Sequence, residues 1–183
     1  MIDEERVLKA KICLVGDSRV GKTSLIRRYV HDDFDDSYIS TLGAKITKKE
    51  FVLPSKDGEY KVNMTVWDIM GERGLTDLLK DSYFDGAGGL LVVCDMTRTE
   101  TFEGLSEWMI TADSVIDTPP MTFVGNKVDL KSEQALDGSL LSRFAGENDS
   151  PYFLTSAKTG ENVNAVFLDL AKRVLKQTYD MEQ

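Results

Sequence analysis

The segment Gly16-Asp17-Ser18-Arg19-Val20-Gly21-Lys22-Thr23 constrains this chain more than any other feature. It sits between an apolar run, Ile12 to Val15, and a stretch that reads as a helix beginning near Lys22. Two glycines flanking such a strand-to-helix loop, followed by Lys and Thr, have the spacing of a phosphate-cradling loop. A phosphate chain carries several negative charges and needs many donors at close range. Glycines let backbone N–H groups curl around it, and the following helix adds its positive N-terminal end. Lys22 is expected on the β and γ phosphates and the Thr23 hydroxyl on Mg²⁺, with Asp17, Ser18, Arg19, Val20, Gly21 and Ser24 completing the cradle.

The rest of the chain supplies the sheet that such a loop needs. Short apolar runs alternate with longer amphipathic stretches, the pattern of strands interleaved with helices on both faces of a sheet. Ile12 to Val15, Leu90 to Cys94, Met121 to Val124 and Tyr152 to Leu154 read as interior parallel strands. Val163, Val166, Phe167, Leu170, Ala171 and Val174 form one helical stripe; Leu105, Trp108, Met109 and Ala112 form another. Ala44 to Trp67 breaks the rhythm, because Tyr60, Val62, Met64 and Val66 alternate with polar residues and Pro54 to Gly58 carries turn chemistry, so it reads as a hairpin. Lys45, Lys48 and Lys49 place its first strand at a sheet edge. With 183 residues, 42% of them apolar, the chain is sized for a single domain and has no run near the roughly 20 apolar residues of a membrane span. A formal charge of −9 is the wrong sign for wrapping nucleic acid or lying on an anionic membrane. Cys13 and Cys94 lie in or at the end of apolar runs, which fits buried thiols in a reducing compartment.

Three further motifs follow strands. Trp67-Asp68-Ile69-Met70-Gly71 puts a carboxylate where ligands of open α/β sheets bind; Asp68 suits a hydrated Mg²⁺, and the Gly71 N–H suits a γ phosphate. Asn126-Lys127-Val128-Asp129 offers a carboxylate that can accept from both the N1–H and the 2-amino group of guanine, whereas adenine would leave it unpaired. Thr155-Ser156-Ala157-Lys158 follows the last strand, where its backbone can support the guanine O6 while Lys127 packs along the base.

Taken in order, GDSRVGKT, YISTLG, WDxxG, GNKVDL and TSAKTGENV resemble a small GTPase of the Ras superfamily, nearest to the Rab branch, over about residues 11–176. The resemblance implies an α/β P-loop small G-domain: a six-stranded, mostly parallel sheet with one antiparallel edge strand and about five flanking helices, in one domain spanning 1–183 with short flexible ends. It implies binding of GTP and GDP with Mg²⁺, slow hydrolysis, and two switch segments read by an exchange factor, a GTPase-activating protein and effectors. Residue by residue, Thr41 matches the switch threonine that joins Thr23 and Asp68 at the metal, and Tyr38 the aromatic that covers the nucleotide. Lys22, Thr41, Gly71 and Glu72 take the catalytic positions. Asn126, Lys127 and Asp129 match the base-reading motif, and Ser156, Ala157 and Lys158 the last one.

The departures are informative. The family's water-positioning glutamine is replaced by Glu72, which only accepts hydrogen bonds and repels the γ phosphate, so slow turnover is expected. The opposing argument is that a carboxylate is a better general base than an amide if water separates it from the phosphate, with Arg73 or Arg19 available to neutralise it. Met70 replaces an alanine, either to fill space or to bias switch closure, and Gly74 to Asp85 matches the second switch poorly. A scaffold that holds GTP without turnover is the alternative reading; an ATP-driven P-loop enzyme is disfavoured by Asp129. The sequence shows no lipidation cysteine at its end, which leaves a shortened C-terminus, docking at a membrane through a partner, or a protein that stays in the cytosol; the expectation is a cytoplasmic monomer without an anchor of its own, peripheral at a membrane only where a partner brings it there. His31 reads as a solvated loop residue and Trp108 as packing.

Overall fold

The computed structural model describes residues 7–37, 39–55 and 58–179. Its elements alternate as β1 (Val7–Val15), α1 (Lys22–His31), β2 (Ala44–Ser55), β3 (Gly58–Ile69), α2 (Arg73–Phe84), β4 (Gly89–Asp95), α3 (Thr99–Glu103), α4 (Leu105–Asp113), β5 (Met121–Asn126), α5 (Gly138–Glu147), β6 (Tyr152–Leu154) and α6 (Val163–Tyr179). Among the described residues the sheet has six strands in the order β2-β3-β1-β4-β5-β6, parallel except that β2 runs antiparallel to β3. α3 and α4 meet at Gly104, whose backbone stays helical, so they act as one helix and five helices flank the sheet.

The interior strands are apolar throughout because both faces are covered. Every residue of β4 and of β5 is buried. On one face α1 and α6 pack Leu25, Ile26, Val166, Phe167 and Leu170 against Ile12, Leu14 and Val93. Phe167 is fully buried and stacks on Tyr29 with ring centroids 4.2 Å apart. On the other face α2, α4 and α5 pack Phe84, Leu105, Trp108 and Leu141 against Cys13, Val92 and Phe123. Both cysteines are buried free thiols, which burial pushes up to about 12.

β2 is the lysine-bearing edge expected of it. β6 corrects the sequence reading: it is parallel but lies at the opposite edge, three residues long, with Tyr152 partly exposed. Among the described residues its strand neighbour is β5 alone, and on its outer side the Leu154 carbonyl accepts from Asn162 Nδ2 at 2.8 Å. His31 ends α1 rather than lying beyond it, and is exposed. The hairpin residues 56 and 57, and Tyr38, lie outside the described residues. The C-terminal ends of β1, β3, β4 and β5 all open toward one rim, which carries the motifs.

Candidate nucleotide and metal site

β1 delivers the chain to the loop and α1 takes over at Lys22, with Gly21 as its N-cap at φ 101°. A Cβ on Gly21 would lie 2.3 Å from Asn126 Nδ2, so both the backbone angle and the amide passing over it demand glycine. The buried Lys22 ammonium donates to the carbonyl oxygens of Gly16 and Asp17 at 2.6 and 3.0 Å. Burial pushes its pKa down to about 8, against the charges of Asp68 and Asp17. An anion held in the loop would restore the full charge. Val20 is buried and its carbonyl accepts from Asn126 Nδ2 at 3.0 Å. Arg19 is exposed at φ 65°, Ser18 and Asp17 are half-buried, and Ser24 lies in the first turn of α1.

Thr23 from α1, Thr41 from the loop before β2 and Asp68 from the end of β3 converge. The Thr23 hydroxyl donates to Asp68 Oδ2, and Thr41 Oγ1 lies 3.2 Å from Thr23 Oγ1 and 3.4 Å from Asp68 Oδ2. Asp68 is buried, and burial raises its pKa, opposed by the Thr23 bond, the Lys22 charge and the Thr41 bond. Its Oδ1 is buried without a partner. One carboxylate with an orphaned oxygen and two hydroxyls are hard oxygen donors that fit Mg²⁺, which takes few protein ligands and leaves its other positions to phosphate and water. Among the described residues no cluster of three His, Cys, Asp or Glu side chains offers a rival metal site.

At the base end, Asn126 is a strut. Its Oδ1 accepts from Thr155 Oγ1 at 3.1 Å and from the Ala157 N–H at 3.2 Å, while its Nδ2 holds Val20. One amide thus ties three loops together. Ser156 Oγ donates to Asp129 Oδ1 at 2.7 Å and orients the carboxylate proposed to read guanine. Arg28 reaches across to the carbonyl oxygens of Ala157 and Lys158 at 2.9 and 2.7 Å. The Lys127 ammonium pairs with Asp95 Oδ2 at 2.7 Å.

Gly71 is pressed against the phosphate loop, since a Cβ there would sit 2.4 Å from the Ser18 nitrogen. Met70 is buried, and its N–H donates to the Gly43 carbonyl at 2.9 Å. Glu72 is exposed and caps the start of α2 in an extended conformation. Arg73, weighed above as its neutralising partner, instead pairs with Asp17 at 3.3 Å and with Glu107.

Beside Arg28, four described residues outside the motifs hold this rim together. Asp95 Oδ2 also accepts from Arg98 Nε at 3.1 Å, and Arg98 donates to the Ser18 carbonyl at 2.8 Å. Trp108, fully buried as packing predicts, also donates its indole N–H to Asp17 Oδ1 at 2.8 Å. Arg73 is the fourth. Only Asp95 carried a legible signal, a carboxylate at the carboxyl end of an interior strand.

The sequence profile of the Ras family matches residues 11–176. Ras-related protein Rab-1C of Dictyostelium discoideum is 34% identical over 169 residues, 92% of this chain and 82% of that protein. GTP-binding protein YPTM1 of Zea mays is 34% identical over 168 residues, 91% of this chain and 78% of its own. GTP-binding protein ypt1 of Schizosaccharomyces pombe is 32% identical over 165 residues, 90% and 79% of the two chains.

Proposed function

From the premise that this chain belongs to the Ras family and is Rab-like within it, we propose that it is a slow GTP switch whose turnover is limited by Glu72. Members of this family are GTP hydrolases that bind GTP and GDP with Mg²⁺ and meet regulators and effectors through their switches. The observation that carries the reading is the convergence of buried Lys22, the Thr23 and Thr41 hydroxyls and the half-satisfied Asp68 carboxylate at one loop.

In this reading Asp129 takes the N1–H and 2-amino group of guanine, Ala157 and Lys158 support its O6, and Lys127 packs along the ring. Lys22 and the loop N–H groups hold the β and γ phosphates, the Gly71 N–H meets the γ phosphate, and Thr41 closes over it. Mg²⁺ would be held by Thr23, Thr41 and Asp68 and would supply positive charge beside the phosphates. Water attacks the γ phosphorus, the bond to the β–γ bridging oxygen breaks, and GDP and phosphate leave. Glu72 stands where an amide would both donate to the γ phosphate and accept from that water. A carboxylate can only accept, and the nearest arginine in sequence is engaged by Asp17 and Glu107.

Phosphate release from GTP-loaded protein in a single turnover tests this. Glu72→Gln is expected to speed release about tenfold, the scale of a restored water-orienting group; an unchanged or slower rate overturns the role given to Glu72. No release over hours from the wild type supports the scaffold reading instead. We place the protein in the cytoplasm as a monomer. No helix among the described residues is long and apolar enough to cross a membrane.

A further inference from the structure

α2 lies against α4 in a register that repeats. Arg73 pairs with Glu107; Thr111 Oγ1 donates to Asp77 Oδ1 at 2.8 Å; Lys80 Nζ donates to Ser114 Oγ at 2.9 Å. Each pair is separated by 34 residues. Residues 73, 77 and 80 are spaced by four and three, so they line one face of α2, as 107, 111 and 114 line one face of the α4 end. At the head of this ladder the Arg73 guanidinium also reaches Asp17 of the phosphate loop at 3.3 Å, on the same oxygen that takes the Trp108 indole N–H.

We propose that Arg73 is a positioning residue: it latches the first turn of α2 to Asp17 and Glu107 and so holds Gly71 and Glu72 over the phosphate loop. This rests on the reading of the site as a GTPase. The segment that carries Gly71 and Glu72 is short and pinned at both ends. Asp68 is fixed by Thr23 on one side, and Arg73 is fixed by Asp17 on the other. Between the two pins Gly71 is seated on Ser18 with no space for a side chain. An exposed ion pair alone holds little. Here the head pair shares a half-buried carboxylate with a buried indole, and two further pairs in register extend it. Gly71 and Glu72 are therefore held over the phosphate loop by contacts of the chain itself.

The test uses the full chain and the variants Arg73→Ala, Arg73→Lys and Glu107→Ala, each loaded with GDP or GTP. Three readouts are needed: GDP release, single-turnover phosphate release, and amide exchange over residues 73–84. Arg73→Ala is expected to exchange faster across α2 and to release phosphate about fivefold more slowly, the rate equivalent of about 1 kcal/mol from a part-exposed network. Its GDP release should stay within about twofold of wild type, since Trp108 still holds Asp17 and the latch touches neither the base nor the metal. Arg73→Lys, which reaches one carboxylate rather than two, and Glu107→Ala should fall between. If Arg73→Ala does not fold, these two carry the same comparison. Unchanged α2 exchange overturns the latch, and faster exchange with a wild-type rate of phosphate release overturns the positioning role. If the wild type releases no phosphate, the hydrolytic reading fails separately and exchange alone decides the latch.

Discussion

Replacing Asp95 by Asn keeps the shape of a buried side chain and removes the charge that joins the base loop to the phosphate loop. Asp95 is 1% exposed. Its Oδ2 takes Lys127 Nζ at 2.7 Å and Arg98 Nε at 3.1 Å, and its Oδ1 takes the Thr97 N–H at 2.9 Å and the Thr97 hydroxyl at 2.7 Å. A charge-assisted bond contributes about 1.5–3 kcal/mol, and two are weakened here. Lys127 and Arg98 are each about one-third exposed and regain water, so roughly half is recovered, leaving a loss of about 2 kcal/mol. The effect has a pH signature. Burial opposes ionisation of Asp95, but the bonds from Lys127 and Thr97 together with the Lys127 charge outweigh it and hold the carboxyl below its usual value. With the folded pKa below the unfolded one, ionisation contributes stability that is complete above about pH 4 and is lost as pH falls through the folded value. Urea unfolding of wild type and Asp95→Asn at matched GDP concentration should show the 2 kcal/mol gap near neutral pH and a narrowing gap below about pH 4. A gap under about 0.5 kcal/mol, or one that widens on acidification, refutes the argument.

Chelation of Mg²⁺ should speed GDP release from the wild type by at least about tenfold, whereas Thr23→Ala should release quickly already and respond little; equal responses would remove Thr23 from the metal. Gly71→Ala forces a Cβ into the Ser18 backbone, 2.4 Å from its nitrogen, so GTP should still bind while phosphate release falls about 100-fold. Retained turnover in that variant would show that the close seat is not needed. Trp108→Phe keeps an aromatic ring in place and removes the N–H given to Asp17, so thermal unfolding should report a loss of about 1 kcal/mol, and a loss above about 4 kcal/mol would mean that packing dominates.

The architecture was legible where one physical requirement leaves one pattern. β4 and β5 are buried on both faces, so they must be unbroken apolar runs, and Val163 to Val174 must repeat at helical spacing to cover them. β6 was misplaced because three apolar residues look the same at the edge of a sheet as inside it; what separates the two positions is a neighbouring strand, and neighbours are not written locally. The motif residues were legible for a related reason: Lys22, Thr23 and Asp68 are each fixed at a set distance from the end of a strand. Asn126 shows the limit of that logic. Its place in the motif was evident, but its use as a strut needs Val20, Thr155 and Ala157, which only the folded sheet assembles.

The residues that brace the rim were hidden by separation. Trp108 meets Asp17 across 91 residues and Arg98 meets Ser18 across 80, distances at which no periodicity survives. This division has a mechanical consequence. Phosphate-loop N–H groups can cradle an anion only if their backbone is held, and the motif itself is rich in glycine and cannot hold its own shape. The restraint comes from outside: Asn126 on Val20, Arg98 on Ser18, and Trp108 with Arg73 on Asp17. Substitutions at Arg98, Trp108 and Arg73 should therefore change rates and stability while leaving guanine preference intact, because the proposed reader of guanine is Asp129, which none of these three touches. A Trp108→Phe protein that lost its preference for GDP over ADP would break that separation.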